Sequence, residues 1–116
     1  MPAAALIQRW VESFEEHTES VRVYRPENYK FPLARGRKEI EFRSDGAFSE
    51  WVIAPNDASR AICGRWNEVQ PGMLRLEYVE FPYPTKVLEV IRLTMNILMF
   101  RERSLPGTLG RKDHKK

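Results

Sequence analysis

Cysteine is nearly absent. Cys63 is the one thiol in 116 residues, so no disulfide can form within the chain, and a reducing compartment, most simply the cytoplasm, is the expectation. Its place beside Ile62 in an apolar run predicts a buried, inert thiol rather than a nucleophile, because reactivity requires an accessible and stabilised thiolate. Histidine is scarce too. His17 and His114 stand far apart, which removes the paired His or His-Cys spacing that a metal centre needs. Glycine-rich phosphate loops are missing, since Arg35-Gly36-Arg37 carries one glycine and no following Lys-Ser/Thr. Apolar runs are short: Arg92 and Asn96 interrupt the longest one, well below the ~20 residues of a membrane-spanning helix. The first sixteen residues do not read as a secretory leader either, because polar residues break the apolar ones from Gln8 onward. These absences leave no catalytic constellation and no cofactor motif. The expectation is a protein that is not an enzyme and carries no cofactor.

An excess of one charge is also missing from the body of the chain. The net charge is +3, but residues 1–103 hold fifteen of the nineteen Lys/Arg and fifteen of the sixteen Asp/Glu. The surplus lies in Arg111, Lys112, Lys115 and Lys116 against Asp113. Residues 1–103 therefore read as a single domain of ordinary size, and 104–116 as a disordered basic tail with too little apolar content to order itself. So short a basic run argues against nucleic acid as a partner, since phosphate affinity needs many simultaneous contacts.

What the chain does have is a relay of short apolar runs broken by turn residues: KEIEFRSDGAFSEWVI, AICGRW, MLRLEYV, KVLEVIRL and NILMF. Breaks at Asp45-Gly46, Pro71-Gly72 and Thr94-Met95-Asn96 fall at hairpin spacing. The reading is all-β, an antiparallel meander of about seven strands over 21–103 that curls into a small barrel or half-barrel. Leu6, Ile7, Trp10, Val11 and Phe14 recur at spacings of three and four, which predicts one amphipathic helix over 3–15, with Trp10 and Phe14 docking on the sheet. Val21 to Arg25 reads as the first strand, stopped by Pro26. The connection 26–36 holds Tyr29, Phe31 and Leu33 and is expected to fold over an open end of the sheet. In the next hairpin a three-residue Ser44-Asp45-Gly46 loop sets Phe42 opposite Phe48 and turns Ile40, Phe42, Phe48 and Val52 inward, whereas a two-residue loop would slip the register and swap the faces. Trp51 and Ile53 then need cover from the helix or from a second copy of the chain. Lys86 to Phe100 also satisfies helical spacing through Leu88, Ile91, Met95 and Leu98. The β-branched residues Val87, Val90, Ile91, Thr94 and Ile97 favour a hairpin.

Phe42-x-x-Asp45-Gly46-x-Phe48, then Gly64-x-Trp66, Leu74-x-Leu76, Ile91-x-Leu93-Thr94 and Leu98-x-Phe100 resemble, in order and spacing, the small bacterial lipocalin-like domains. The resemblance covers roughly residues 20–102 and implies a meander closed into a barrel, in a family many of whose members have no established activity. The secreted lipocalins carry Gly-x-Trp on their first strand, while Gly64-Arg65-Trp66 lies mid-chain. That argues against their retinoid or pheromone-type ligands, and Gly64 has a packing reading as room left beside a large neighbour.

Two clusters are candidates for a site. Arg35, Arg37 and Lys38, with Arg22 and Arg25, can clamp a carboxylate or phosphate, or simply pair with Glu39 and Glu41 on a strand face. Tyr24, Tyr29, Phe31, Trp66 and Tyr78 can line a cavity, or simply pack a narrow barrel. Together they suggest an amphipathic acid in the lumen, with Tyr24, Tyr29, Trp66 and Tyr78 as contact surface and Arg35 and Arg37 drawing its acidic end. The alternative is a filled barrel without a ligand, acting as a structural or interaction module that pairs with a second copy through a sheet face or edge.

Overall fold

Segments rich in β-branched and aromatic residues, punctuated by Gly and Pro, become strands here. A computed structural model describes residues 3–34, 36–53, 59–79 and 83–104. The strands are β1 (Arg9–Glu12), β2 (Arg22–Pro26), β3 (Glu39–Phe42), β4 (Ala47–Ile53), β5 (Ser59–Gln70), β6 (Met73–Tyr78), β7 (Lys86–Thr94) and β8 (Ile97–Ser104). They form a closed barrel in the order β1-β2-β8-β7-β6-β5-β4-β3, every neighbouring pair antiparallel. The meander holds from β3 to β8. The β1–β2 hairpin is wedged between those two strands, which makes eight strands rather than seven.

The expected helix over 3–15 is not there. Its span divides into a 3-10 turn at Ala3–Ala5, strand β1, and a second 3-10 turn at Phe14–Glu16. The four-residue spacing of Leu6 and Trp10 is real, but it serves a different bond: the Trp10 indole Nε1–H donates to Leu6 O at 3.1 Å. A helix of this length is marginal alone, whereas β1 gains backbone partners on both edges, Trp10 pairing with Pro26 on one side and with Ile40 on the other. Trp10 is fully buried while Phe14 is 40% exposed. Only the first of the two packs in the core.

The described residues of 27–38 do not cover an open end. Pro26 lies opposite Trp10 and Glu39 opposite Val11, so the connection must return the chain along β1. Arg9, on the outward face beside inward Trp10, reaches Glu27 at 4.0 Å, and Arg37 Nη1 donates to Glu12 O at 3.0 Å. The connection therefore runs on the outside of the barrel.

The hairpins follow the turn chemistry. Phe42 stands opposite Phe48; the Arg43 N–H donates to Ala47 O at 2.9 Å and the Gly46 N–H to Arg43 O at 3.2 Å, with Gly46 at φ +91°, where a side chain is strained. Lys86 to Phe100 is a hairpin, turning at Met95-Asn96 between Thr94 and Ile97. A bulge at Ile91 sets Val90 opposite Phe100 and Leu93 opposite Leu98, which returns Leu93 to the core side and leaves Ile91 exposed. Trp51 is not covered by a helix; the Arg9 guanidinium lies 4.0 Å from its ring centroid. Cys63, expected to be buried, faces outward and is exposed, because Ile62 and Gly64 take the inward positions of β5.

Inside, Leu6, Phe42, Phe48, Leu74, Leu76, Leu88, Leu98 and Phe100 pack around Trp10. Gly64 makes this packing possible. A Cβ there would stand 2.1 Å from Glu77 O and 2.8 Å from Phe48 Cε2, and a neighbouring backbone carbonyl cannot yield cheaply. Gly64→Ala is expected to destabilise the fold by about 3 kcal/mol, seen as a lower urea midpoint. An unchanged midpoint contradicts this account of β5–β6 packing.

Candidate functional site

The two ends of the barrel differ in chemistry. One is closed by the N-terminal segment: Leu6 is fully buried, Gln8 Nε2 donates to Met95 O at 3.2 Å, and the Phe42 N–H donates to Gln8 O at 3.3 Å. At the other end inward positions turn polar. Glu50 pairs with Ile40 and Ile62, both buried, so strand alternation carries its carboxylate inside. Tyr78 ends β6, Lys86 begins β7, and Glu102 lies two residues after inward Phe100.

These side chains meet. Tyr78 stands opposite Gly64, whose missing side chain lets the ring lie edge-on to Phe48 at 5.2 Å, and its hydroxyl donates to Glu50 Oε1 at 2.6 Å. Lys86 Nζ is 3.7 Å from Glu102 Oε2 and 5.6 Å from the Tyr78 ring centroid. Tyr24 stacks on Phe100 at 5.4 Å. Beneath them is a cavity of about 20 Å³, bordered by Tyr24, Glu50, Lys86 and Glu102 on its polar side and by Ile40, Phe42, Leu76 and Leu98 on its apolar side. That is room for roughly one water molecule.

Burial raises the Tyr78 phenol far above its ordinary range, and the adjacent Glu50 charge and the hydrogen bond to it act in the same direction. The Tyr24 phenol is raised as well, by burial first and then by Glu12, Glu50 and Glu102. Both stay neutral donors, unsuited to act as bases or phenolate nucleophiles. Among the described residues no three His, Cys, Asp or Glu are grouped to hold a metal ion. The arrangement can form hydrogen bonds and compensate a charge.

Of the residues expected to bind a ligand, Tyr24 and Tyr78 lie at this mouth. Trp66 faces the core from the closed end, edge-on to Phe42 at 5.7 Å, with its Nε1–H donating to Arg43 O at 3.0 Å. Tyr29 lies outside the barrel under the Arg25 guanidinium at 4.8 Å. Arg37 is outside as well. It binds Glu15 through both carboxylate oxygens, donates to Pro32 O, and is held between the Phe14 and Phe31 rings. Arg35 falls outside the described residues, as does the tail from 105. Arg22, opposite inward Phe100 and close enough to Tyr24 to act on its phenol, is at the mouth, whereas Tyr29, Arg25 and Arg37 are not. Glu50, Lys86 and Glu102 were missed, although each sits two positions from an inward apolar residue: Phe48, Leu88 and Phe100.

No family model, curated protein or solved structure matches the chain. Its class is set by architecture alone, a closed eight-stranded antiparallel barrel with a polar mouth.

Outside the mouth, ion pairs fasten the β1–β2 loop. Arg25 clasps Glu16 through two bonds of 2.8 and 2.7 Å, and the Ser13 hydroxyl donates to Glu16 Oε1 at 2.7 Å. Arg25 above all pulls the Glu16 carboxyl down from 4.5 to about 2. A carboxyl depressed by folding adds stability above its unfolded value, and that stability is lost as pH falls from 4.5 toward about 2. Solvent reaches the pair, so Glu16→Gln is expected to cost roughly 1 kcal/mol at pH 7. The gap between wild type and variant in urea unfolding should close near pH 2. A gap independent of pH contradicts the assignment.

Proposed function

We propose that the chain is a non-catalytic binding module, cytoplasmic and of the lipocalin-like kind, whose barrel is filled by its own side chains and which meets small molecules at its mouth. The observation that carries this reading is the size of the cavity among the inward side chains, about 20 Å³, against the roughly 300–1,000 Å³ of cavities that enclose a ligand; the larger recess of about 280 Å³ beside Glu102 is bordered by Arg22, Arg101 and Arg103 and not by core residues. The lone Cys63 supports the compartment, and the order of the Gly, Trp and Leu motifs supports the kinship. No helix among the described residues is long and apolar enough to cross a membrane. A partner chain, including a second copy, would find its edge at β8: β2 pairs with β8 only as far as Phe100, so Arg101–Ser104 extend past it.

A second reading, a hydrophobic or amphipathic acid held in the lumen, draws support from the inward aromatic rings of Tyr24, Trp66 and Tyr78. It requires core side chains to withdraw, and its acidic end would face Glu50 and Glu102 with Lys86 as the one cation among the polar residues bordering that cavity. Titration with decanoate, followed by tryptophan fluorescence and native mass spectrometry, separates the two. The filled barrel predicts no saturable binding and no bound mass. A one-to-one decanoate complex with altered tryptophan emission overturns it in favour of the lumen.

A further inference from the structure

We infer that the mouth recognises a compact primary ammonium group, the charged end of an alkylamine, with Glu50 as its counter-ion. The inference rests on the reading of the mouth as the place where small molecules are met. Sign is the first argument. Two carboxylates, Glu50 and Glu102, border the cavity with a single ammonium, Lys86; Glu102 is answered by Lys86 and by Arg22, Arg101 and Arg103 in the adjoining recess, which leaves Glu50 as the carboxylate without a cation. Glu50 has no cation within 4.0 Å among the described residues; its partner is the neutral Tyr78 hydroxyl at 2.6 Å. A carboxylate carried inside a barrel wall without a cation is a standing attraction for one.

The second argument is an unused hydrogen-bonding group. Tyr24 is 8% exposed and borders the same cavity, and among the described residues its hydroxyl has no hydrogen-bond partner, although it can accept from an ammonium N–H. The third argument is the Lys86 ammonium itself, lying over the Tyr78 ring. It shows the mouth already accommodating a group of this kind against an aromatic face. Lys86 is tethered at the start of β7 with its side chain 29% exposed, so it can swing to solvent when a ligand enters. The size of the space limits the ligand: a cavity of about 20 Å³ takes an –NH₃⁺ in place of one water, with its alkyl chain leading out, and rejects a quaternary ammonium.

The test is a titration of the full chain with n-butylammonium chloride at constant ionic strength, followed by amide chemical shifts in two-dimensional NMR. Saturable shifts confined to Glu50, Tyr78, Lys86 and Glu102 and their neighbours are expected. Tetramethylammonium, butyrate and butanol should give none. Glu50→Gln should weaken binding about ten-fold, the loss of one charged hydrogen bond. Tyr24→Phe, which keeps the ring on Phe100, should weaken it by a smaller factor. Lys86→Met, which removes the tethered competitor, should tighten it. Shifts of equal size with butyrate or butanol overturn the inference, as does the absence of saturable shifts in a folded wild-type sample. If decanoate is also excluded, that failure leaves the filled-barrel reading standing.

Discussion

Closure depends on β1, a strand of four residues. It pairs with β2 on one edge and β3 on the other, and without it those two strands would each present an open row of backbone donors and acceptors. Trp10 anchors the closure from within. Its ring fills the barrel beside Leu6, and its indole nitrogen satisfies the Leu6 carbonyl, so the same residue fastens the strand and the segment that seals the closed end. The return of 27–38 along the outside follows from this insertion. Arg37 and Arg25 then fix the connection and the β1–β2 loop with carboxylates and aromatic faces. Arg25 and Arg37, two of the arginines that suggest a ligand clamp in the sequence, are engaged as fasteners here.

The barrel is uneven along its axis. At the closed end the inward positions are filled mainly by apolar side chains, Trp10, Phe42, Leu74 and Leu98, with Glu68 opposite Leu74 at the exposed end of β5. At the mouth the alternation of β4, β7 and β8 brings Glu50, Lys86 and Glu102 onto the inward face. Gly64 links the two regions. Its bare backbone leaves room for Phe48 and Tyr78 to meet edge to face, which delivers the Tyr78 hydroxyl to Glu50. The rigidity of the packed half thus sets the geometry of the polar half.

The hairpins from β3 onward are legible in the sequence, because turn residues and apolar strand runs agree there. The Phe42 and Phe48 register and the Lys86 to Phe100 hairpin follow from that agreement. The N-terminus was not legible. Leu6, Trp10 and Phe14 satisfy a helical period, and nothing local shows that β2 and β3 will each offer β1 an edge. Residue type alone points to a buried Cys63, but alternation overrides it, since Ile62 inward forces Cys63 outward. The mouth was half legible: Tyr24 and Tyr78 were found by their rings. Glu50, Lys86 and Glu102 are less legible because charged residues on a strand are ordinarily solvated, although their parity with Phe48, Leu88 and Phe100 marks the inward face.

The most direct test of the central claim is native-state hydrogen exchange of the Trp10 indole N–H and the Glu12 amide, which donate to Leu6 O and Lys38 O. A barrel closed by β1 predicts that both exchange only through global unfolding, with the same opening free energy as the slowest amides of β5. Exchange of these two through a separate, lower-energy opening, with β5 still protected, would show a sheet that is open between β2 and β3 and would contradict the account.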